Sequence, residues 1–329
     1  MPCEIVQVDP RSPDPDALSR AVKILKAGGL VAFPTETVYG LGANALDMSA
    51  VAKIFAAKGR PATNPIIVHV AEFDDARKLV SAWPDRAQGL AERFWPGPLT
   101  LVLPKQPSVP DLVTAGGPTV ALRVPAHPVA LALLRACGLP LAAPSANRST
   151  ELSPTRPEHV LRGMADRIDL LIDAGPTTGG LESTVLDLTC DPPRLLRPGL
   201  VTAAEIESVI GPINHAAPTG EPARSPGQMP RHYAPHTPVV VLAQSQRHVE
   251  DLSRQGRRIG WLTHVDEEGP AVLRILLPAD SVSYSAQLYA ALHQLDQAGL
   301  DRIVVEAPPT SDEWLAVNDR LRRASEPEA

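Results

Sequence analysis

Helix-period and strand-period segments alternate through the first 210 residues of this chain, stop, and resume after residue 238. That single interruption constrains the fold more than any other feature. Residues 211–238 hold seven prolines and three glycines and show no apolar periodicity. Such a stretch reads as an extended interdomain linker, because proline restricts φ and favours polyproline geometry. The chain is therefore expected to be α/β in two parts: a first domain over 1–210, a proline-rich linker over 211–238, and a small α/β domain over 239–329.

Within the first part, Asp14 or Asp16 can cap a helix whose Leu18, Ala21, Val22 and Leu25 fall at i, i+3, i+4 and i+7, with Gly28-Gly29 as its stop. Leu30 to Phe33 reads as a buried strand running into the loop Pro34-Thr35-Glu36-Thr37. Ser49 is expected to open a second helix, which ends at Lys58-Gly59-Arg60-Pro61. Further strands are expected at Ile66 to Val70, Leu99 to Leu103, Thr119 to Val124, Leu170 to Asp173 and Thr184 to Leu188. Several are short and separated by proline-rich turns, which favours a twisted mixed sheet flanked by helices over a strictly parallel one. In the last part, strands are expected at Val239 to Leu242, Arg258 to Thr263 and Arg302 to Glu306. A long helix is lined by Leu288, Leu292 and Leu295 and closed by Gly299, and a last helix starts near Asp312.

Composition narrows the function classes. A hydrophobic fraction of 44% and a charged fraction of 21% exclude a disordered chain, a collagen-like repeat and a coiled coil. No apolar stretch is long enough to cross a bilayer, and the acidic Glu4, Asp9, Asp14 and Asp16 do not fit a secretory or transit peptide. The expected compartment is the cytoplasm, with no membrane partner. Net charge is −6, so no global basic field recruits nucleic acid. Cys3, Cys137 and Cys190 are widely spaced, form no C-x-x-C pair and have no zinc spacing with histidine, which fits free thiols in a reducing compartment.

Polar residues gather where the expected strands end, and that is where α/β folds place ligands. There is no G-x-x-x-x-G-K-[ST] and no G-x-G-x-x-G. Lys58 and Arg60, two apart on a loop that also carries Asn64, can converge on a polyphosphate, or can simply complement a helix C-terminus. His69 on the following strand is either packed or functional. Arg123 stands in an apolar strand between Leu122 and Val124, and a buried arginine needs a carboxylate or phosphate partner, supplied by the protein or by a ligand. Ala142-Ala143-Pro144-Ser145-Ala146-Asn147 joins small residues to a hydroxyl and an amide. That suits close backbone approach to a ligand as well as a plain turn. Ser183 lies at the mouth of a strand after a glycine pair, Arg197-Pro198-Gly199 ends another, and Trp95-Pro96-Gly97-Pro98 reads as a rigid turn. No catalytic triad order, carboxylate dyad or metal cage is evident. The constellation is rich in donors and poor in nucleophiles and bases, so it suits binding and orienting anions.

Taken in order, LVAFPTETVYGLGANA, KGRPATNPIIVHV, FWPGPLTLVL, TVALRVPAHP, LAAPSANRS followed by SPT, LESTVLDL and LLRPG resemble the L-threonylcarbamoyladenylate synthases in their long form. SPGQMPRHYAP in the linker resembles the signature of that form. The resemblance implies a YrdC-like domain and a smaller Rossmann-like domain joined by the linker. It implies condensation of L-threonine, bicarbonate and ATP, with magnesium, to threonylcarbamoyl-AMP and pyrophosphate. Downstream transferase proteins would then pass the threonylcarbamoyl group to a tRNA adenosine, with any contact between this chain and tRNA indirect. Residue by residue, it implies that Arg123 holds the threonine carboxylate, with Thr37, His69, Ser183 and Ala143 around the rest of that substrate. It assigns ATP to Arg60, Asn64, Thr119, Ser145, Ser153 and Arg197, places Lys58 and Asn147 at the phosphates, and folds Tyr233 over the nucleotide so that the linker acts as a lid. No protein side chain is assigned to the metal. Thr150 departs from the family, which often carries glycine there, and Gln228 stands where hydrophobic residues are frequent.

Two other readings compete. A double-stranded RNA or tRNA binding module would use a patch of Lys58, Arg60, Arg123, Arg148 and Arg197, against which stand the net charge and an aromatic fraction of 4%. A carbamoyltransferase of hydrogenase maturation would need acylphosphatase-like and zinc-binding modules, for which this chain has neither the length nor the cysteines.

Overall fold

The computed structural model describes residues 3–215 and 233–325. Most of the linker expected over 211–238, including the greater part of SPGQMPRHYAP and Gln228, lies outside the described residues. The chain divides into two compact units. The first takes residues 3–149, 154–178 and 182–215, and the second takes 150–153, 179–181 and 233–325.

The strands of the first unit are β1 (Glu4–Gln7), β2 (Val31–Pro34), β3 (Tyr39–Asn44), β4 (Ile67–His69), β5 (Leu99–Pro104), β6 (Thr119–Arg123), β7 (Leu141–Ala142), β8 (Leu170–Asp173), β9 (Thr184–Asp187) and β10 (Arg194–Arg197). They form one sheet in the order β1-β8-β2-β3-β7-β4-β6-β5-β9-β10. Pairing is mixed as expected: β4 and β6 run parallel, as do β5 and β9, whereas β2 with β3 and β5 with β6 are antiparallel. Helices α1 (Pro15–Lys26), α2 (Met48–Lys58), α3 (Phe73–Arg77), α4 (Asp85–Phe94), α5 (Pro128–Cys137), α6 (Pro157–Met164) and α7 (Ala203–Ile210) complete the unit.

Both faces of the sheet are buried, and the strand sequences say why. In β8, Leu170 and Ile172 join a core with Leu18 and Leu25 of α1 and Leu133 of α5, while Leu171 joins a second core with Val51 and Ile54 of α2. Successive side chains point to opposite faces, so a strand covered on both sides reads as an unbroken apolar run. Asp14 does cap α1, accepting from Asp16 N at 2.9 Å, with Pro15 at the first helical position where its fixed φ suits the turn. The start of α2 differs from expectation. Asp47 is its cap, accepting from Ser49 N (2.8 Å) and Ala50 N (3.3 Å), and Ser49 sits inside the first turn with its hydroxyl donating to the same carboxylate. The two glycines of β3 hid that strand from the pattern. A Cβ on Gly42 would lie 2.8 Å from the Phe33 ring, so this strand is small because its neighbour is large.

The second unit is a four-stranded parallel sheet of β11 (Val239–Leu242), β12 (Ile259–Thr263), β13 (Leu273–Leu276) and β14 (Arg302–Glu306) in the order β11-β14-β12-β13. It carries α8 (Ser245–Arg254), α9 (Ser281–Asp296) and α10 (Leu315–Ala324). Val249, Ile259, Trp261 and Val304 form a core cluster there, and the buried Trp261 indole donates to Ser245 Oγ at 2.7 Å. Among the described residues, no helix is long and apolar enough to cross a membrane.

Thr150 explains its own departure from the resemblance. Its φ is +73°, in the left-handed region, while its carbonyl accepts from Ala234 N at 3.0 Å and its side chain is exposed. A β-branched residue is strained there and glycine is not. Thr150→Gly is expected to stabilise the second unit by about 1 kcal/mol, the strain relieved exceeding the entropy that glycine adds to the unfolded chain. Calorimetric unfolding of the two proteins side by side measures this.

Candidate active site

Arg123 ends β6, is 3% exposed, and stands in register beside His69 of the parallel β4. Its guanidinium is held from three directions. Nη2 donates to Glu36 Oε1 at 2.6 Å, Nη1 to Thr37 Oγ1 at 3.1 Å, and Nε to the Gly97 carbonyl at 3.2 Å. A guanidinium has five N–H donors, so one on each terminal nitrogen stays uncommitted among the described residues. The other Glu36 oxygen accepts from Ala126 N at 3.0 Å. Thr37 is fixed in turn by Thr35, whose hydroxyl lies 2.8 Å from its own and donates to the Val38 carbonyl.

The partner demanded by a buried arginine is thus a protein carboxylate, Glu36, which the sequence reading left without a role. Gly97 is the second residue missed. The turn around it is braced by the Trp95 indole, which donates to Leu99 O at 2.7 Å. Yet the turn also positions the site, because Gly97 N donates to Val124 O and the next carbonyl, of Pro98, accepts from Thr184 N. The available signal for Glu36 was an acid between two threonines at the end of a buried strand.

Ser183 precedes β9 and is fully buried. Its hydroxyl lies 2.7 Å from Thr100 Oγ1 and accepts from Arg197 Nη2 at 3.2 Å, and its carbonyl accepts from Arg197 Nε and Nη2. Gly199 makes this possible. A Cβ there would sit 2.3 Å from Thr184 N and 2.5 Å from the Ser183 carbonyl carbon, so only glycine lets the two segments approach. On the other loop, Lys58 is buried and its ammonium donates to the carbonyls of Ser145, at 2.6 Å, and of Asn147. Arg60 donates to the carbonyls of Asn64 (3.0 Å) and Pro65 (2.6 Å). The structure therefore joins the K-x-R and S-x-N segments directly. Ala143 is held against β4 by its N–H to the Ile67 carbonyl, and Thr119 opens β6 opposite Pro104.

Ser153 and Tyr233 belong to the second unit. Ser153 is buried and its carbonyl accepts from His293 Nε2 at 3.2 Å. The Tyr233 ring is buried too, 6.0 Å from that of Tyr289 and 5.2 Å beneath the Arg320 guanidinium, with φ at +62°. Among the described residues, no group of three or more His, Cys, Asp or Glu is arranged to hold a metal.

His69 is 3% exposed, makes an edge contact with Phe33, and has Nδ1 buried without a hydrogen-bond partner among the described residues. Burial, then the neighbouring Arg123 charge, lower its pKa to about 3. The imidazole is therefore neutral at working pH and available as a hydrogen-bonding group rather than as a cation.

Residues 23–199 match the Sua5/YciO/YrdC family model, described as "Telomere recombination", and residues 201–326 match the model described as "Threonylcarbamoyl-AMP synthase, C-terminal domain". The threonylcarbamoyl-AMP synthase of Pyrococcus abyssi is 46% identical over 318 residues, covering 93% of each chain. That of Bacillus subtilis is 44% identical over 329 residues, covering 96% of this chain and 95% of its own. The crystal structure of P. abyssi Sua5 complexed with L-threonine superposes with a TM-score of 0.92 at 44% identity, covering 98% of this chain and 97% of that one.

The depressed pKa of His69 has a stability consequence of definite sign. Below about pH 6.5 the unfolded histidine takes up a proton that the folded one refuses down to about 3, so stability falls as pH drops through that window and is unaffected above it. In His69→Gln, the loss of unfolding free energy between pH 6 and 4 should be shallower than in the wild type by up to ~1.4 kcal/mol per pH unit. Urea unfolding at a series of pH values tests this.

Proposed function

The chain belongs to the threonylcarbamoyl-AMP synthase family, and we propose that it condenses L-threonine, bicarbonate and ATP to threonylcarbamoyl-AMP with release of pyrophosphate, the first step of tRNA threonylcarbamoyladenosine modification. The observation that carries this reading is near-full-length similarity to synthases of that name, combined with a buried arginine fork set among hydroxyls.

The chemistry asks little of side chains as reactants. The threonine amine adds to the carbon of bicarbonate, water leaves, and the resulting carbamate is itself an anionic nucleophile. One carbamate oxygen bonds to the α-phosphorus of ATP as the bond to the pyrophosphate oxygen breaks, which makes the protein a nucleotidyltransferase. Rate then depends on alignment and on balancing phosphate charge. Arg123 is proposed to receive the threonine carboxylate on the N–H of each terminal nitrogen, as a bidentate pair. Thr37, His69, Ser183 and the backbone at Ala143 enclose the rest of that substrate. Lys58, Arg60, Asn64, Thr119, Ser145, Asn147 and Arg197 are proposed to take the nucleotide. The resemblance also assigns Ser153 and Tyr233 to ATP. Magnesium is proposed to enter as the counter-ion of the ATP phosphates. The product would be handed to downstream transferase proteins in the cytoplasm. Relatives named as synthases over nearly the whole chain support this reading over a bare RNA-binding module.

Pyrophosphate release from Mg·ATP is expected to require L-threonine and bicarbonate together. Release without threonine, or none from folded protein, refutes the reading. Arg123→Lys keeps the charge but loses the fork, and should raise the threonine KM about tenfold or more while leaving the ATP KM within about threefold. Steady-state kinetics with each substrate varied in turn measure both.

A further inference from the structure

Among the described residues, Glu36 is the one carboxylate bonded to the arginine that the proposed function gives to the threonine carboxylate. A protein carboxylate beside a carboxylate-binding arginine can act in two opposite ways: as a rival for the guanidinium, or as its anchor. The geometry distinguishes them. A rival must be able to leave. Glu36 is tied by both oxygens, Oε1 to Arg123 Nη2 at 2.6 Å and Oε2 to the main-chain N–H of Ala126 at 3.0 Å, and its side chain is 14% exposed. Its two partners lie three residues apart on one segment, so the carboxylate clips the loop between β2 and β3 onto the end of β6. With Thr37 and Gly97 on the remaining sides, the guanidinium plane is fixed before any substrate arrives.

We infer that Glu36 is a positioning residue for the amino-acid substrate, holding the Arg123 guanidinium so that its two uncommitted N–H groups meet the substrate carboxylate as a fork. The inference rests on the carboxylate assignment to Arg123 made above. It has a chemical corollary. Both Glu36 oxygens accept from donors, and an amide offers one acceptor and turns an NH₂ group toward the other donor. Glutamine, although the same shape, therefore does not substitute. Neutralising Arg123 in the unliganded pocket also means that a carboxylate is recognised there by bidentate geometry more than by net charge.

The test compares Glu36→Gln and Glu36→Asp with the wild type, using direct threonine titration and full kinetics. Glu36→Gln is expected to weaken threonine binding and raise its KM about tenfold or more, with the ATP KM within about threefold. Glu36→Asp, which keeps both acceptors on a shorter stem, should retain more threonine affinity than the glutamine variant. Unchanged or tighter threonine binding in Glu36→Gln would overturn the inference and make Glu36 a rival. Equal weakening of threonine and ATP in both variants would also overturn it, reducing Glu36 to a structural ion pair. Arg123→Lys, run alongside, separates the two levels. If it fails to affect threonine selectively, the carboxylate assignment itself has failed. If it does affect threonine and the Glu36 variants do not, only the positioning role falls.

Discussion

Burying a charged guanidinium in a strand is the constraint around which the first unit is organised. Arg123 is 3% exposed, and an ion removed from water costs several kcal/mol unless a counter-charge and hydrogen bonds meet it. The sequence meets that demand from places far apart in the chain: a carboxylate and a hydroxyl from the turn at 36–37 and a carbonyl from the turn at 97, with the Ala126 N–H holding the other carboxylate oxygen. These loops cannot adjust independently, because each satisfies the same group. The position of the site is therefore fixed by electrostatics, and the helices on both faces of the sheet supply the dry surroundings in which such contacts are strong.

Glycine and backbone carbonyls do complementary work around that centre. Lys58 is held by the carbonyls of the distant 145–147 segment and Arg60 by those of the residues just after it, which converts a basic loop into a fixed one. Gly199 and Gly42 each stand where a Cβ would collide, one with backbone and one with an aromatic ring, so close packing of segments is written as absent side chains. This is why the segments carrying the proposed substrate contacts read as small and polar in the sequence.

Those same features set what could be read in advance. Residues 170–173, apolar at three successive positions, announce a strand buried on both faces, and Asp14 with Pro15 announces a helix start. Local chemistry of this kind is visible in a few neighbouring residues. The strand over 39–44 was not visible because its glycines erase alternation, and the partner of Arg123 was not visible because it lies 87 residues away. Lys58, Ser145 and Asn147 could be listed from their motifs, but their direct bonding depends on the sheet order that brings residue 58 to residues 145 and 147. The left-handed backbone at Thr150 showed in the sequence only as a departure from family glycine, and became physical once its φ was known.

Two basic side chains in register, His69 and Arg123, meet the same burial with opposite results. Histidine begins from a pKa near neutrality, so desolvation and the adjacent positive charge are enough to strip its proton. Arginine spreads its charge over a planar guanidinium and has the Glu36 carboxylate beside it. The pocket thereby keeps a paired cation and a neutral imidazole side by side across the working pH range. With His69 neutral, the charge of this pair rests on the guanidinium, the group proposed above to orient the amino acid.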